Sequence, residues 1–168
     1  LRRVIEVGTP MLAICFGAQA LARAIGGAAE SNIAPEHGIT RITVADSCPL
    51  PAGPWFEMHS DRCVVPDDAE VLASTPSAIQ LFGYGPHLGV QFHPEITPGV
   101  FALWASSMGE AERATYAALG VDHSALAADI EANLDALVDG YRAVWAYFLD
   151  RAARVGRAHS SPAEADLV

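Results

Sequence analysis

The longest apolar stretches of the chain are short, and their lengths identify what they build. Met11-Leu12-Ala13-Ile14-Cys15 follows the turn Gly8-Thr9-Pro10 and is a continuous apolar run of the kind found in a buried parallel strand. Phe16 to Ile25 is rich in good helix formers, and Gly26-Gly27 supplies an abrupt C-terminal stop, so the pattern predicts a helix there. Cys15 therefore falls at a strand-to-helix turn. Downstream come short strand-like pieces separated by Pro, Gly and Asp clusters: Ile39–Val44, Trp55–Met58, Val64-Val65, Val71–Ala73, Ala78–Phe82 and Leu88–Phe92. Strands in succession imply antiparallel pairing, and one strand–helix unit joined to such a meander predicts a three-layer α/β domain on a mixed sheet. Beyond Trp104 strand signals cease. Leu126, Ile130, Leu134, Leu137, Tyr141, Val144, Trp145 and Phe148 recur at helical spacing, which predicts one long amphipathic helix over Ser124–Val155. Such a helix packs on the sheet or caps the domain; the same pattern would serve a partner-docking helix. From Gly156 onward the sequence reads as a frayed tail.

Composition narrows the class. With 168 residues, 51% of them hydrophobic, the chain suits one globular core. Its formal charge of −10, without any basic run, argues against nucleic acid. No apolar stretch approaches the ~20 residues needed to cross a bilayer, so a soluble protein is expected. Cys15, Cys48 and Cys63 are odd in number and widely spaced, which points to a reducing cytoplasm and gives no C-x-x-C metal or redox pair. The chain opens at Leu1 on what reads as the end of an uncapped helix, Leu1–Glu6, and is expected to be a fragment; no secretory signal follows Arg2-Arg3.

Two motifs carry chemistry. Cys15 at the end of a strand, with small neighbours Ala13 and Gly17, has the form of a nucleophile elbow: the turn projects the sulfur, and free N–H groups at the helix start favour a thiolate and an oxyanion. Alone it reads equally well as a small buried hydrophobe. The second motif, Gly89-Val90-Gln91-Phe92-His93-Pro94-Glu95, ends an apolar strand in a histidine two residues from a carboxylate. In extended backbone His93 and Glu95 would point to the same side, with Pro94 stiffening the pair. A carboxylate on one ring nitrogen leaves the other to accept the thiol proton. Together the motifs specify cysteine-dependent acyl transfer far better than either does singly.

Pro10–Gln19 closely resembles the nucleophile segment of class I, triad-type glutamine amidotransferases, and Val90–Glu95 resembles their histidine–glutamate segment. The resemblance covers about residues 8 to 104 and points to stand-alone members similar to the glutaminase domain of GMP synthase. It implies a fold of that family's type, N-terminally incomplete, with a partial amidotransferase domain over 1–106, a helical extension packing on it over 107–155 and a flexible tail over 156–168. It implies Cys15, His93 and Glu95 as the triad. Gln19 matches a position that helps hold substrate glutamine, Ser60 and Asp61 match a segment whose backbone contacts it, and the Phe16 amide is an oxyanion donor. For His59 a structural or gating role stands beside substrate contact. The sequence departs from the family at Ala13, where glycine is usual, and at Ala18, often histidine. A glycine-bearing oxyanion loop expected upstream of Leu1 is absent; loss of one such donor typically costs ~3 kcal/mol of transition-state stabilisation. The implied reaction hydrolyses the glutamine side-chain amide to glutamate and ammonia without metal or organic cofactor. No phosphate loop is present, so any ammonia acceptor is a separate synthetase or a part outside the chain. The alternatives are a γ-glutamyl hydrolase acting on γ-glutamyl amines or peptides, and a non-catalytic amidotransferase-like binding protein.

Overall fold

The first strand and the last are neighbours. In the computed structural model, which describes residues 1–160, β1 (Leu12–Ile14) pairs in parallel with β7 (His87–Val90) in the register Leu12↔Leu88, Ala13↔Gly89, Ile14↔Val90. Two apolar runs far apart in sequence thus end at the same sheet edge. Strand β6 (Ile79–Tyr84) runs antiparallel to β7, and β4 (Trp55–Val64) and β2 (Ala28–Thr40) continue the order β1-β7-β6-β4-β2. Strands β5 (Glu70–Ser74) and β3 (Thr43–Val44) branch from β6. The result is the mixed sheet expected from the sequence.

Helices cover both faces. On β6, Leu81 and Phe82 point to opposite sides by strand alternation. Phe82 joins Ala13, Ala18, Leu21 and Ala22 in a cluster under α2 (Phe16–Ala24), preceded by the short α1 (Arg2–Glu6). Leu81 joins Trp55, Leu88, Val90 and Phe92 in a second cluster that takes in Val144, Tyr147 and Phe148. Those three belong to α6 (Leu134–Ser160). A third cluster packs Phe56, Met58, Ile96 and Phe101 against Met108, Leu126, Ile130 and Leu137. It uses α3 (Pro98–Ser107) and α5 (His123–Ala132), with α4 (Glu110–Ala118) between them in sequence. The three layers are helix, sheet and helix. At Gly140 of α6 a Cβ would stand 2.6 Å from the Trp55 ring, so only hydrogen fits between this helix and that indole. Trp55 in turn stacks on Phe92 at a centroid distance of 4.2 Å.

The structure differs from the sequence reading in several places, among them the predicted strand Ile39–Val44, which is divided between the end of β2 and β3. The helix expected over Ser124–Val155 is two helices, interrupted at Asn133 (φ −110°, ψ 10°), whose side chain donates to the Asp129 carbonyl and competes with the helical ladder. Helix α6 runs on to Ser160, past Gly156 where a tail is expected to start; residues 161–168 lie outside the described residues. Trp55–Met58 and Val64 belong to one ten-residue strand, because the polar stretch between them pairs with β2 instead of turning. Strand β2 itself has no apolar alternation, and its register against β4 shifts between Ser31 and Glu36.

Candidate active site

Parallel pairing of β1 and β7 delivers Cys15 and His93 to the carboxyl ends of adjacent strands, where open α/β sheets place their sites. The Cys15 amide donates to the Val90 carbonyl at 2.7 Å, continuing the ladder one residue past β1. The backbone then turns sharply into α2. Cys15 has φ 48° and ψ −109°, and among the described residues it alone combines a side chain with a positive φ. Such a conformation costs roughly 1–3 kcal/mol and persists only where its surroundings enforce it. Here the Val90 hydrogen bond holds one side and the start of α2 the other. Ala13, with 5% exposure, is accommodated at the position where the family usually has glycine, and the Cβ of Ala13 stands 3.7 Å from where a Cβ on Gly17 would lie.

His93 lies just past β7, its amide donating to the Phe56 carbonyl at 2.8 Å. Its Nδ1 meets Glu95 Oε1 at 2.8 Å, as the motif suggested, though not through extended backbone. Residues 94–95 form a turn, closed by the Ile96 amide donating to the His93 carbonyl at 3.3 Å. Pro94 supplies the fixed φ for this turn, and Thr97 caps α3 directly after it, its hydroxyl accepting from the Val100 amide. The Trp104 ring packs edge-on against the imidazole at 4.8 Å. Burial pulls the His93 pKa down, but hydrogen bonding to Cys15 and Glu95 and the charges of both outweigh it and carry it up to about 9. The raised pKa favours a protonated imidazole beside the Cys15 sulfur.

The remaining predicted residues separate. Gln19 is buried on α2, and its Nε2 donates weakly to the Asp61 carbonyl at 3.4 Å. Phe16, Gln19 and Asp61 line one cavity of about 650 Å³ with Arg2 and Arg23 nearby. Ser60 is exposed on β4 and is not among the residues lining it. Cys15 and His93 open instead onto a second cavity of about 360 Å³.

Two features escaped the sequence reading. Gln91 is 1% exposed, and its Nε2 points at Cys15 Sγ at 3.7 Å while its Oε1 accepts from Gln19 Nε2 at 3.5 Å and Cys63 Sγ at 3.3 Å. A polar residue inside an otherwise apolar strand end was the available signal. The other is a sealed ionic cluster: His59 Nε2 contacts Glu57 at 3.1 Å and Glu36 at 3.3 Å, and its Nδ1 donates to the Asp61 carbonyl at 2.9 Å. Gln80 Nε2 donates to Glu36 at 2.8 Å. Burial lowers the His59 pKa, yet the two carboxylates more than compensate and raise it to about 10. The ring is thus spent on the two carboxylates and on the Asp61 backbone.

The family model for class-I glutamine amidotransferases matches residues 1–103, and the chain belongs to that family. Among curated relatives it is 38% identical over 100 residues to one subunit of the glutamine-hydrolysing GMP synthase of Saccharolobus solfataricus, spanning 54% of this chain and 53% of that one. It is 35% identical over 103 residues to the GMP synthase of Aeropyrum pernix, which covers 55% of this chain and 20% of that protein. The chain thus spans about half the length of the first relative and a fifth of the second. The fold recurs in a glutamine amidotransferase from Thermotoga maritima, with a TM-score of 0.76 at 22% identity over 88% of this chain and 65% of the other. A glutamine amidotransferase from Methylobacillus flagellatus gives 0.68 at 18% identity, over 89% and 66% respectively. Among the described residues no helix is long and apolar enough to cross a membrane.

Proposed function

We propose that the protein is a glutaminase-type amidohydrolase in which Cys15 attacks the γ-carboxamide of glutamine, His93 carries the proton and Glu95 orients His93. The supporting observation is the convergence of a strained cysteine elbow with a carboxylate-held histidine at one sheet edge, the histidine raised to about 9 by those two partners. The thiolate adds to the carbonyl carbon, and amides at the start of α2, beginning with Phe16, face the developing oxyanion. His93 gives its proton to the departing nitrogen, the C–N bond breaks, and a γ-glutamyl thioester remains on Cys15. His93 then takes a proton from water, which cleaves the thioester to glutamate and restores the thiol pair. Gln19 and Asp61, which line the cavity of about 650 Å³, are the residues we assign to the glutamyl half. No cofactor enters this scheme.

The first relative is one subunit of its synthase, which supports a separate synthetase as ammonia acceptor. Cytoplasmic placement and a division at 106/107 into amidotransferase domain and helical extension belong to the same proposal, the latter because the family match ends at residue 103. The test is glutamate and ammonia release by the 168-residue chain, together with covalent labelling of Cys15 by a glutamine-like electrophile. Labelling that Cys15→Ser abolishes supports the proposal. Absence of both turnover and labelling overturns it in favour of a non-catalytic binding protein.

A further inference from the structure

Gln91 follows β7 in the run that delivers His93, and alternation divides that run between two faces. Val90 and Phe92 enter the apolar cluster around Trp55, while Gln91 and His93 both meet the sulfur of Cys15. The backbone here is held on both sides: the Val90 carbonyl accepts from the Cys15 amide at 2.7 Å, and the Gln91 amide donates to the Gln80 carbonyl at 2.9 Å. Gln91 is 1% exposed, so its carboxamide must find its partners inside the protein. We infer that Gln91 is a positioning residue for the nucleophile, its NH2 group acting with His93 as a second donor that fixes the direction of the Cys15 sulfur and favours the thiolate. The inference rests on the Cys15 reaction proposed above and names a further residue that reaction uses.

The neighbours decide which end of the carboxamide meets the sulfur. The Asp61 carbonyl can only accept, so the end of Gln19 that faces it at 3.4 Å is the Nε2 donor. That same Nε2 lies 3.5 Å from Gln91 Oε1. Cys63 Sγ lies 3.3 Å from the same oxygen, and burial pushes its pKa up to about 12, so it stays a thiol and donates. Turning the Gln91 carboxamide over would set its NH2 group against that of Gln19. The NH2 group therefore faces Cys15 Sγ, at 3.7 Å. A hydrogen bond to the charged form of a group favours that form, and the thiolate is the attacking species. Direction matters as much as charge: a sulfur with one donor can swing about it, whereas a second donor confines the swing. Packing gives no reason for a glutamine here, since an apolar side chain would fill the space without the cost of burying a carboxamide. Gln19, assigned above to the glutamyl half, is thus one carboxamide away from the nucleophile.

The experiment follows the rate at which iodoacetamide alkylates Cys15 in the full chain as a function of pH, read by peptide mass so that the buried Cys48 and Cys63 are counted separately. Gln91→Glu keeps the outline of the side chain and the acceptor for Gln19 and Cys63, and exchanges only the NH2 group at the sulfur for an oxygen. It should raise the alkylation midpoint by about one pH unit or more. In glutamine hydrolysis it should lower kcat about tenfold and leave KM within about twofold. Gln91→Met, which removes the donor without adding charge, should shift the midpoint the same way by less. Midpoints within about 0.3 unit of the native one in folded variants overturn the inference, and labelling by the glutamine-like electrophile then leaves the Cys15 reaction standing. A change in KM alone overturns it too, as does unfolding of both variants, since Gln91 would then serve the fold. Shifted midpoints in a chain with neither turnover nor electrophile labelling do the opposite: the hold of Gln91 on the sulfur stands and the Cys15 reaction falls.

Discussion

His93 and His59 are both buried, both touch carboxylates and both titrate well above an ordinary imidazole, yet they sit in opposite kinds of surroundings. His59 is boxed in, with 1% side-chain exposure, between two carboxylates at 3.1 and 3.3 Å and a backbone carbonyl. Every direction from its ring is occupied by a fixed partner. His93 has one carboxylate at 2.8 Å, 11% side-chain exposure, a cysteine for its other neighbour and a cavity in front. A raised pKa is therefore common to both and does not distinguish them. Access to the Cys15 sulfur and to a cavity separates them, while His59 is held against Glu57, fully buried and pushed up by burial.

The comparison breaks most readily at the sulfur. Cys15→Ser, or His93→Asn, should reduce γ-glutamyl amide hydrolysis by about 10⁴-fold or more in steady-state kinetics, since the two act as a unit and a double variant should lose little further. His59→Asn should instead unfold the protein more easily, by about 3–5 kcal/mol in urea titration, because it leaves Glu57 and Glu36 without their cation. If His59→Asn abolished turnover at unchanged stability, the assignment of roles would be reversed. Glu95→Gln keeps the shape of the pair but removes the charge, and should cost about 10²–10⁴-fold in kcat, with little change in KM. The smallest effects follow pH. The His93 proton should be lost near pH 9, giving a falling alkaline limb in kcat/KM. For His59 the folded pKa of about 10 exceeds the unfolded value of 6.5, so its stabilising contribution is complete below 6.5 and disappears as pH rises through 10. Denaturation midpoints measured between pH 7 and 10.5 should decline accordingly, and Cys15→Ser should not remove that decline.

The sequence exposed the histidine of the site and concealed the other histidine's purpose for a physical reason. Cys15 and His93-Pro94-Glu95 end apolar runs, and their partners lie within two residues or across a parallel pair of matching strands. The mixed sheet was legible from the same runs. The cluster around His59 depends on Glu36, which stands opposite it only through the β2–β4 register. Strand β2 contains Pro35 and few apolar residues, so neither its existence nor that register could be read from alternation. The cavity wall was hidden likewise: Trp104 and Tyr116 belong to two helices and Met108 to the join between them, and their placement is set by packing on Phe56 and Met58, not by local pattern. Gln91 lies inside the run read as the strand Leu88–Phe92, and its approach to the Cys15 sulfur depends on the pairing of distant segments.

Gly140 leaves a notch in α6 into which the edge of the Trp55 indole is fitted. A helix seated on such a key cannot creep along its axis or roll without driving a side chain into the ring. Trp55 is stacked on Phe92, the residue before His93. The helix α6 and the residue next to His93 are thus joined through two stacked rings, so the position of one fixes that of the other in this fold.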